Sequence, residues 1–241
     1  MLTLTGVSKS YAKGGVRAVD DLTLAVPAGE IFGFLGPNGA GKTTTIKLVV
    51  GLLKPDAGTI TVDGVDVLKE PLDAKRRLGY VPDYPNLYER LTGLEYLNFI
   101  ADVWGIPTAE RRRRLEPLLG MFDLADAITD IVQAYSHGMR QKLAVTAAVL
   151  TDPALLILDE PMTGLDPKSQ ADFKELMRGR CEAGKAVFFS THILDVAERL
   201  CDRVGIIHKG KLVAVGTMAE LSRRAAGHET LEQIFLELTA S

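Results

Sequence analysis

The sequence predicts an α/β protein with a mainly parallel β-sheet, an N-terminal antiparallel β-subdomain and an inserted α-helical subdomain. Three patterns in the printed sequence support this fold class. Short continuous apolar runs that alternate with helical periodicity indicate a parallel sheet covered by helices on both faces. Alternation of apolar and polar residues over 2–26 indicates antiparallel strands with one wet face. Over 84–150 helical periodicity replaces strand-like runs, which indicates the helical insert.

The composition fits a globular chain of 241 residues and excludes several classes of protein. A hydrophobic fraction of 46% and a charged fraction of 24% exclude disordered, collagen-like and disulfide-stapled chains. The net charge of −3 offers no positive field to a nucleic-acid backbone, so no nucleic-acid partner is expected. Cys181 and Cys201 lack CxxC spacing, which predicts reduced thiols. Without a membrane-spanning run or a secretory signal, the sequence predicts a cytoplasmic location.

Continuous apolar runs locate the predicted core strands. The first run, 31–35, is followed by a glycine-rich turn and a predicted helix over 44–53. Runs over 155–158, 186–189 and 204–207 supply the other strands of the predicted sheet. Because helical patterns separate these runs, we expect the strands to pair in parallel and the sheet to be covered on both faces.

We expect a single domain over 1–241. The β-subdomain and the core are assigned to 1–83 and 151–220, the helical subdomain to 84–150 and a helical tail to 221–241.

Local signals mark several element ends. Thr92 and Glu95 have the spacing of a capping box at the start of the first inserted helix. The segment 211–216 predicts a hairpin return after the last core strand, and Thr230 opens a predicted amphipathic helix.

The segment 36–43 carries the strongest chemical signal, because Gly-Pro-Asn-Gly-Ala-Gly-Lys-Thr fits the pattern G-x-x-x-x-G-K-[ST]. Its position between a buried strand and a helix is the one that a phosphate loop requires, and argues against an ordinary glycine turn. Lys42 is predicted to reach the β- and γ-phosphates, and Thr43 to offer its hydroxyl to Mg²⁺. The predicted phosphate-binding residues are Gly36, Pro37, Asn38, Gly39, Ala40, Gly41, Lys42, Thr43 and Thr44. The predicted core is therefore that of a P-loop nucleoside triphosphatase.

Asp159 and Glu160 follow four apolar residues at the end of a predicted strand. In open α/β sheets this end of a strand faces the crevice where ligands bind. We expect Asp159 to hold Mg²⁺ through water, and Glu160 to orient or deprotonate the attacking water. An isolated Asp-Glu pair more often marks a solvated strand end, but the phosphate loop upstream favours the catalytic interpretation.

Together these motifs resemble those of the ATP-binding subunits of ABC transporters. The segment 135–139, Tyr-Ser-His-Gly-Met, resembles the family signature LSGGQ and retains Ser136 and Gly138, whereas His137 and Met139 depart from it. The resemblance implies that Ser136 and Gly138 contact the γ-phosphate of ATP held by the opposite subunit. Taken alone, Ser136 is also a helix N-cap candidate, and the two roles are compatible.

Other positions resemble the family pattern in the same order along the chain. Tyr11 is similar to the aromatic residue that stacks on adenine, and 163–166 to the D-loop that crosses the dimer interface. His192 resembles the switch histidine that contacts the γ-phosphate and helps to hold the attacking water. Asp83 stands where the family has a glutamine. An acidic side chain there can still ligate Mg²⁺ or orient water, but it adds negative charge beside the phosphates.

The resemblance implies an ATPase subunit that binds ATP and Mg²⁺ and docks on separate transmembrane permease subunits at the cytoplasmic face of the membrane. It also implies a head-to-tail dimer with a second copy of this chain or with a homologous ATPase subunit. The signature variant and the predicted C-terminal helix are similar to those of bacterial exporters with compact six-helix membrane partners. An ABC-type ATPase that acts on ribosomes or DNA is the alternative. A P-loop GTPase or kinase lacks support, because no Asn-Lys-x-Asp segment is present.

Overall fold

A computed structural model describes residues 1–11, 15–163, 165–224 and 230–239 of the chain. The strands are β1 (Leu2–Ser10), β2 (Arg17–Val26), β3 (Ile31–Leu35), β4 (Ala57–Val62), β5 (Val65–Asp66), β6 (Leu78–Val81), β7 (Leu155–Asp159), β8 (Ala186–Thr191), β9 (Arg203–His208) and β10 (Lys211–Gly216). The helices are α1 (Lys42–Val49), α2 (Pro71–Arg77), α3 (Gly93–Val103), α4 (Thr108–Met121), α5 (His137–Leu150), α6 (Pro167–Glu182), α7 (Leu194–Leu200), α8 (Met218–Arg224) and α9 (Leu231–Thr239).

The strands form two sheets. One sheet is antiparallel, with the order β2-β1-β4-β5. The other has the order β10-β9-β3-β8-β7-β6, and every neighbouring pair is parallel except the β9–β10 hairpin. This architecture confirms the predicted fold class. Because β3 lies beside β8 and β8 lies beside β7, the segments that follow these three strands meet at one edge of the sheet.

Two details of the core differ from the sequence prediction. The helix predicted over 44–53 occupies Lys42–Val49, and it ends where Gly51 adopts a left-handed φ of 72°. Strand β6 was not predicted, because it contains only four residues and one of them is Gly79. A Cβ at Gly79 would lie 2.9 Å from the ring of Pro153, so close packing at this sheet edge accounts for the glycine.

The helices of the insert share a hydrophobic core with the parallel sheet. Leu97 of α3, Phe122 after α4 and Leu143 of α5 belong to the same buried cluster as Leu156 of β7 and Phe189 of β8. This shared core fixes α5, and with it the segment that precedes α5, relative to the edge of the sheet where β7 and β8 end.

The local end signals are confirmed. Thr92 Oγ1 accepts a hydrogen bond from the Glu95 amide at 3.2 Å, and the Glu95 carboxylate accepts one from the Thr92 amide at 2.8 Å. The hairpin predicted over 211–216 is β10, and Thr230 accepts from the Gln233 amide at the start of α9.

Both cysteines, Cys181 and Cys201, are free thiols, and burial raises the pKa of each. Among the helices that the structure describes, none combines the length and apolar character needed to cross a membrane.

Candidate nucleotide site

The phosphate loop leaves the buried strand β3 and ends at the first residue of α1. Two glycines are fixed by close contacts with neighbouring backbone. A Cβ at Gly36 would lie 2.4 Å from the carbonyl oxygen of Ile207, and a Cβ at Gly41 would lie 2.3 Å from that of Ala18. Gly41 also has a φ of 113°, which other residues rarely adopt. The loop can therefore wrap tightly in front of the N-terminus of α1, where backbone amides favour anions.

Lys42 is the first residue of α1 and is 7% exposed, and its side chain reaches back to the start of the phosphate loop. Its Nζ donates a hydrogen bond to the carbonyl oxygen of Gly36 at 2.6 Å and lies 3.9 Å from Oε1 of Glu160. Burial lowers the pKa of Lys42, while the negative charges of Glu160 and Asp159 oppose that shift. The ammonium group thus sits between the phosphate loop and the strand-end carboxylates, where a triphosphate can replace those carboxylates as its counter-charge.

Asp159 and Glu160 are held by a neighbouring strand. Asp159 pairs with Ser190 in the register of β7 and β8, and the Ser190 hydroxyl donates to Oδ1 of Asp159 at 2.5 Å. The Glu160 amide donates to the carbonyl oxygen and to the hydroxyl of Ser190, each at 3.2 Å. Glu160 has a left-handed φ of 50°, so the chain turns sharply where β7 ends.

His192 meets Glu160 just beyond the end of β8. Its Nδ1 lies 2.9 Å from Oε2 of Glu160, and its backbone amide donates to the same oxygen at 3.3 Å. The structure therefore brings together the two residues that the sequence analysis assigned to the attacking water.

A cleft of about 590 Å³ lies in front of these groups. Of the predicted site residues, those that line it are Tyr11, Pro37, Asn38, Gly39, Gly41, Lys42, Thr43, Thr44, Asp83, Asp159 and Glu160. The Tyr11 hydroxyl lies 3.3 Å from Oγ1 of Thr44, and 48% of the Tyr11 residue surface is exposed at the cleft. An exposed ring beside a phosphate loop is available to stack on a base.

The cleft also contains residues that the sequence analysis missed. Val16, Arg17 and Ala18 at the start of β2, and Lys209 and Gly210 in the β9–β10 turn, contribute to its lining. The Gly210 amide donates to the carbonyl oxygen of Ala40 at 2.9 Å, so this turn supports the phosphate loop from a distant part of the chain. The turn has a local signal, because Lys-Gly between two apolar strands indicates a hairpin, but nothing in the sequence connects it to the phosphate loop.

Asp83 lines the same cleft as the carboxylates of Asp159 and Glu160. Burial, followed by the negative charges of Asp159 and Glu160, raises the pKa of Asp83. The same kind of environment raises the pKa of Tyr80 to about 12, again mainly through burial. Asp83 therefore adds a costly negative charge to this wall of the cleft in the absence of a cation.

Three side chains in the cleft carry oxygen atoms of the kind that a hard divalent cation prefers as ligands. Thr43, Asp83 and Asp159 line the same cleft and offer one hydroxyl and two carboxylates. Mg²⁺ is usually held by one or two carboxylates together with phosphate oxygens and water. Among the described residues, no group of three or more His, Cys, Asp or Glu side chains is placed to hold a metal ion.

Ser136 and Gly138 lie at the start of α5 and do not line this cleft. Ser136 is exposed and is the N-cap, with its hydroxyl accepting the Met139 amide at 3.3 Å, as predicted. Arg140 fixes the segment before it by donating to the carbonyl oxygens of Gln133 and Tyr135, each at 3.2 Å. At this helix start Ser136 is therefore open to solvent, and both Ser136 and Gly138 lie outside the cleft of their own chain.

The D-loop segment 163–166 is described only in part, because Gly164 lies outside the described residues. Asp166 caps α6 by accepting the Ser169 amide at 3.0 Å, which confirms the predicted N-cap. The side chain of Leu165 lies 3.6 Å from the position of a Cβ on Gly138, so this segment packs against the start of α5.

The phosphate loop after β3, its buried lysine and the carboxylates at the end of β7 define a P-loop nucleoside triphosphatase. The family of ABC transporters matches this chain over residues 19–163, and the chain belongs to that family. Both the predicted family and ATP as the nucleotide are thereby confirmed.

Relatives and solved structures agree with this assignment. The chain is 43% identical over 217 residues to the daunorubicin/doxorubicin resistance ATP-binding protein DrrA of Streptomyces peucetius, covering 90% of this chain but only 65% of DrrA. It is 38% identical to the ABC transporter ATP-binding protein NatA of Bacillus subtilis, covering 98% of this chain and 97% of NatA.

A solved ATP-binding subunit of an ABC transporter superimposes with a TM-score of 0.94 at 37% identity over 99% of both chains. A dimeric ATP-binding cassette bound to ADP and Pi superimposes with a TM-score of 0.81 at 26% identity, over 90% of this chain and 98% of the other. The alternative of an ATPase that acts on ribosomes or DNA finds no support among these proteins.

Proposed function

We propose that this chain is the ATP-hydrolysing subunit of an ABC exporter and works as a head-to-tail dimer on separate transmembrane permease subunits. The observation that carries this proposal is the separation of two half-sites. The phosphate loop and carboxylates line one cleft, whereas Ser136 and Gly138 start a helix outside it. A second ATPase subunit, either another copy or a homologue, would bring its own helix start to the γ-phosphate. The dimeric relative with ADP and Pi supports this arrangement.

The site residues divide the work of hydrolysis. Lys42 and the amides of 36–44 bind the phosphates, and Tyr11 stacks on adenine. Thr43, Asp159 and Asp83 would hold Mg²⁺, which when bound neutralises charge on the β- and γ-phosphates. A closed dimer would stabilise the developing charge further through the helix N-terminus at Ser136.

Glu160 acts on the attacking water. His192 engages Oε2 of Glu160 through both its ring and its backbone amide, so the carboxylate is held in one orientation. Oε1 faces Lys42 at 3.9 Å and becomes available to accept a proton from water once Lys42 is engaged by phosphate. Protein contributions of this kind, positioning and charge, dominate phosphoryl transfer.

Partner docking is supported by an apolar groove that shares no lining residue with the nucleotide cleft. The groove has a volume of about 400 Å³ and lies between the parallel sheet and the helical insert. Its lining includes Leu52, which is 61% exposed, and Trp104, which is 41% exposed. We propose that a cytoplasmic segment of the permease fills this groove and holds the chain at the cytoplasmic face of the membrane. The names of relatives that serve drug resistance and Nod factor export support export as the direction.

Copurification tests the proposed partner. Tagged chain is isolated from detergent-solubilised membranes as the wild type, as Leu52→Glu in the groove and as Leu236→Glu on α9, where Leu236 is 60% exposed. We expect a polytopic membrane protein to copurify with the wild type and Leu236→Glu but not with Leu52→Glu, while ATP binding by all three is equal. Recovery of ribosomes or nucleic acid instead of a membrane subunit would refute the transporter assignment.

A further inference from the structure

Ser190 is a fully buried polar residue whose hydroxyl is used twice. It donates to Oδ1 of Asp159 at 2.5 Å and accepts from the amide of Glu160 at 3.2 Å. The sequence analysis assigned it no role, since Ser190 follows an apolar run and carries no motif of its own. The parallel register that pairs Asp159 with Ser190 brings it to the site.

The contact with Asp159 leaves that carboxylate with one defined orientation. Asp159 is 4% exposed. Among the described residues, its carboxylate accepts one side-chain hydrogen bond, the one that Ser190 donates. A buried carboxylate needs such a partner. Because Oδ1 is engaged by Ser190, Oδ2 is the oxygen left for the cleft and for the proposed cation. Groups that orient metal ligands in this way commonly change metal affinity by about 10- to 100-fold when removed.

The contact with Glu160 stabilises an unfavourable backbone conformation. A φ of 50° is uncommon for a residue other than glycine, asparagine or aspartate, and it persists only where surrounding contacts enforce it. Both the carbonyl oxygen and the hydroxyl of Ser190 accept the Glu160 amide. This double contact holds the turn that directs the Glu160 side chain toward His192 and Lys42.

We infer that Ser190 is a positioning residue that orients both Asp159 and Glu160 for ATP hydrolysis. The inference rests on the proposed roles of those two carboxylates. It adds a second position on β8 and its end that serves the reaction, beside His192, and it gives a role to the buried hydroxyl that follows the apolar residues of this strand.

The test compares Ser190→Ala with Thr146→Val, a control that also removes one buried hydroxyl. Thr146 is 0% exposed and donates to the carbonyl oxygen of Lys142 within α5. Affinity for a non-hydrolysable ATP analogue is measured with Mg²⁺ and with EDTA, and kcat and KM for ATP are measured alongside. For Ser190→Ala we expect kcat and the Mg²⁺-dependent gain in affinity each to fall by about 10-fold or more, KM for Mg-ATP to rise with that loss of affinity, and affinity in EDTA to change little. Thr146→Val should match the wild type.

A double mutant separates this inference from the proposed function. If Ser190 acts through Asp159, adding Ser190→Ala to Asp159→Asn should cause no further loss of Mg²⁺-dependent affinity. If the alanine variant is unstable, Ser190→Cys replaces it in the test. The thiol is close in size to the hydroxyl but is a weak hydrogen-bond donor, so the same direction of change is expected.

Wild-type kcat and Mg²⁺ dependence in Ser190→Ala, beside a defective Asp159→Asn, would overturn the role of Ser190 alone. An Asp159→Asn variant with wild-type Mg²⁺ dependence would overturn the proposed role of Asp159 itself.

Discussion

Replacing Glu160 with glutamine tests the assignment of the catalytic base. The amide keeps the size of the side chain, and its oxygen can still accept the hydrogen bond that the His192 amide donates to Oε2 at 3.3 Å. What changes is the charge and the ability to take a proton. Because a positioned base contributes about 10²- to 10⁴-fold to a rate, we expect kcat to fall by that range.

The same substitution should not weaken ATP binding. In the wild type the Glu160 carboxylate lies 3.9 Å from Nζ of Lys42. At that separation two unit charges attract by about 4 kcal/mol with an effective dielectric constant of about 20, and the phosphates must compete with this attraction. Removing the charge at Glu160 also relieves its repulsion of Asp83 and of the nucleotide. ATP affinity is therefore expected to stay equal or to rise.

The assay for Glu160→Gln is phosphate release at saturating Mg-ATP, paired with equilibrium binding of ATP. Glu175→Gln, an exposed change of the same chemistry on α6, is the matched control and should hydrolyse like the wild type. Hydrolysis by Glu160→Gln at the rate of the control would refute the assignment of Glu160 as the base. Loss of ATP binding in parallel with activity would refute the electrostatic argument.

Two further predictions concern charges in the cleft. Lys42→Ala removes the buried ammonium from the phosphate loop, and since a hydrogen bond to a charged group is worth about 1.5–3 kcal/mol, ATP affinity should fall at least about 10-fold; unchanged affinity in a binding titration would contradict the role of the loop. Asp83→Asn should raise the melting temperature of the nucleotide-free protein in EDTA at pH 8. Because the pKa of Asp83 is raised in the folded state, its charge destabilises the fold above that pKa, and the penalty is absent below its ordinary value of 3.8. The gain should therefore vanish below pH 3.8, and a loss of stability at pH 8 would contradict the prediction.

The parts of the site that were predicted from the sequence are formed by residues that lie close together along the chain. The phosphate loop over 36–43 needs glycines at fixed spacing, because Gly36 and Gly41 approach other backbone segments within 2.5 Å of a potential Cβ. The Thr92 capping box and the Asp166 N-cap likewise depend on residues three positions apart. Because such signals are local, they can be recognised in the sequence without knowledge of the tertiary structure.

The parts that sequence missed arise from pairing between distant segments. Ser190 meets Asp159 only through the register of two parallel strands that are separated by α6. Gly210 supports Ala40 only because β9 lies beside β3. Strand β6 escaped prediction since a four-residue edge strand with a glycine has little periodicity of its own. In each case the contact depends on which strands are neighbours in the sheet, and no local sequence motif encodes it.

The central claim is that ATP joins two half-sites from separate subunits. The most direct test is size-exclusion chromatography with light scattering on Glu160→Gln, with and without Mg-ATP. The control is the double variant Glu160→Gln/Gly138→Asp, which adds a carboxylate at the start of α5 but leaves the cleft unchanged. We predict a mass near the 26.1 kDa of one chain without nucleotide and twice that mass with Mg-ATP, and no shift for the control. A monomer at an ATP concentration that saturates binding, or an equal shift in the control, would contradict the composite site.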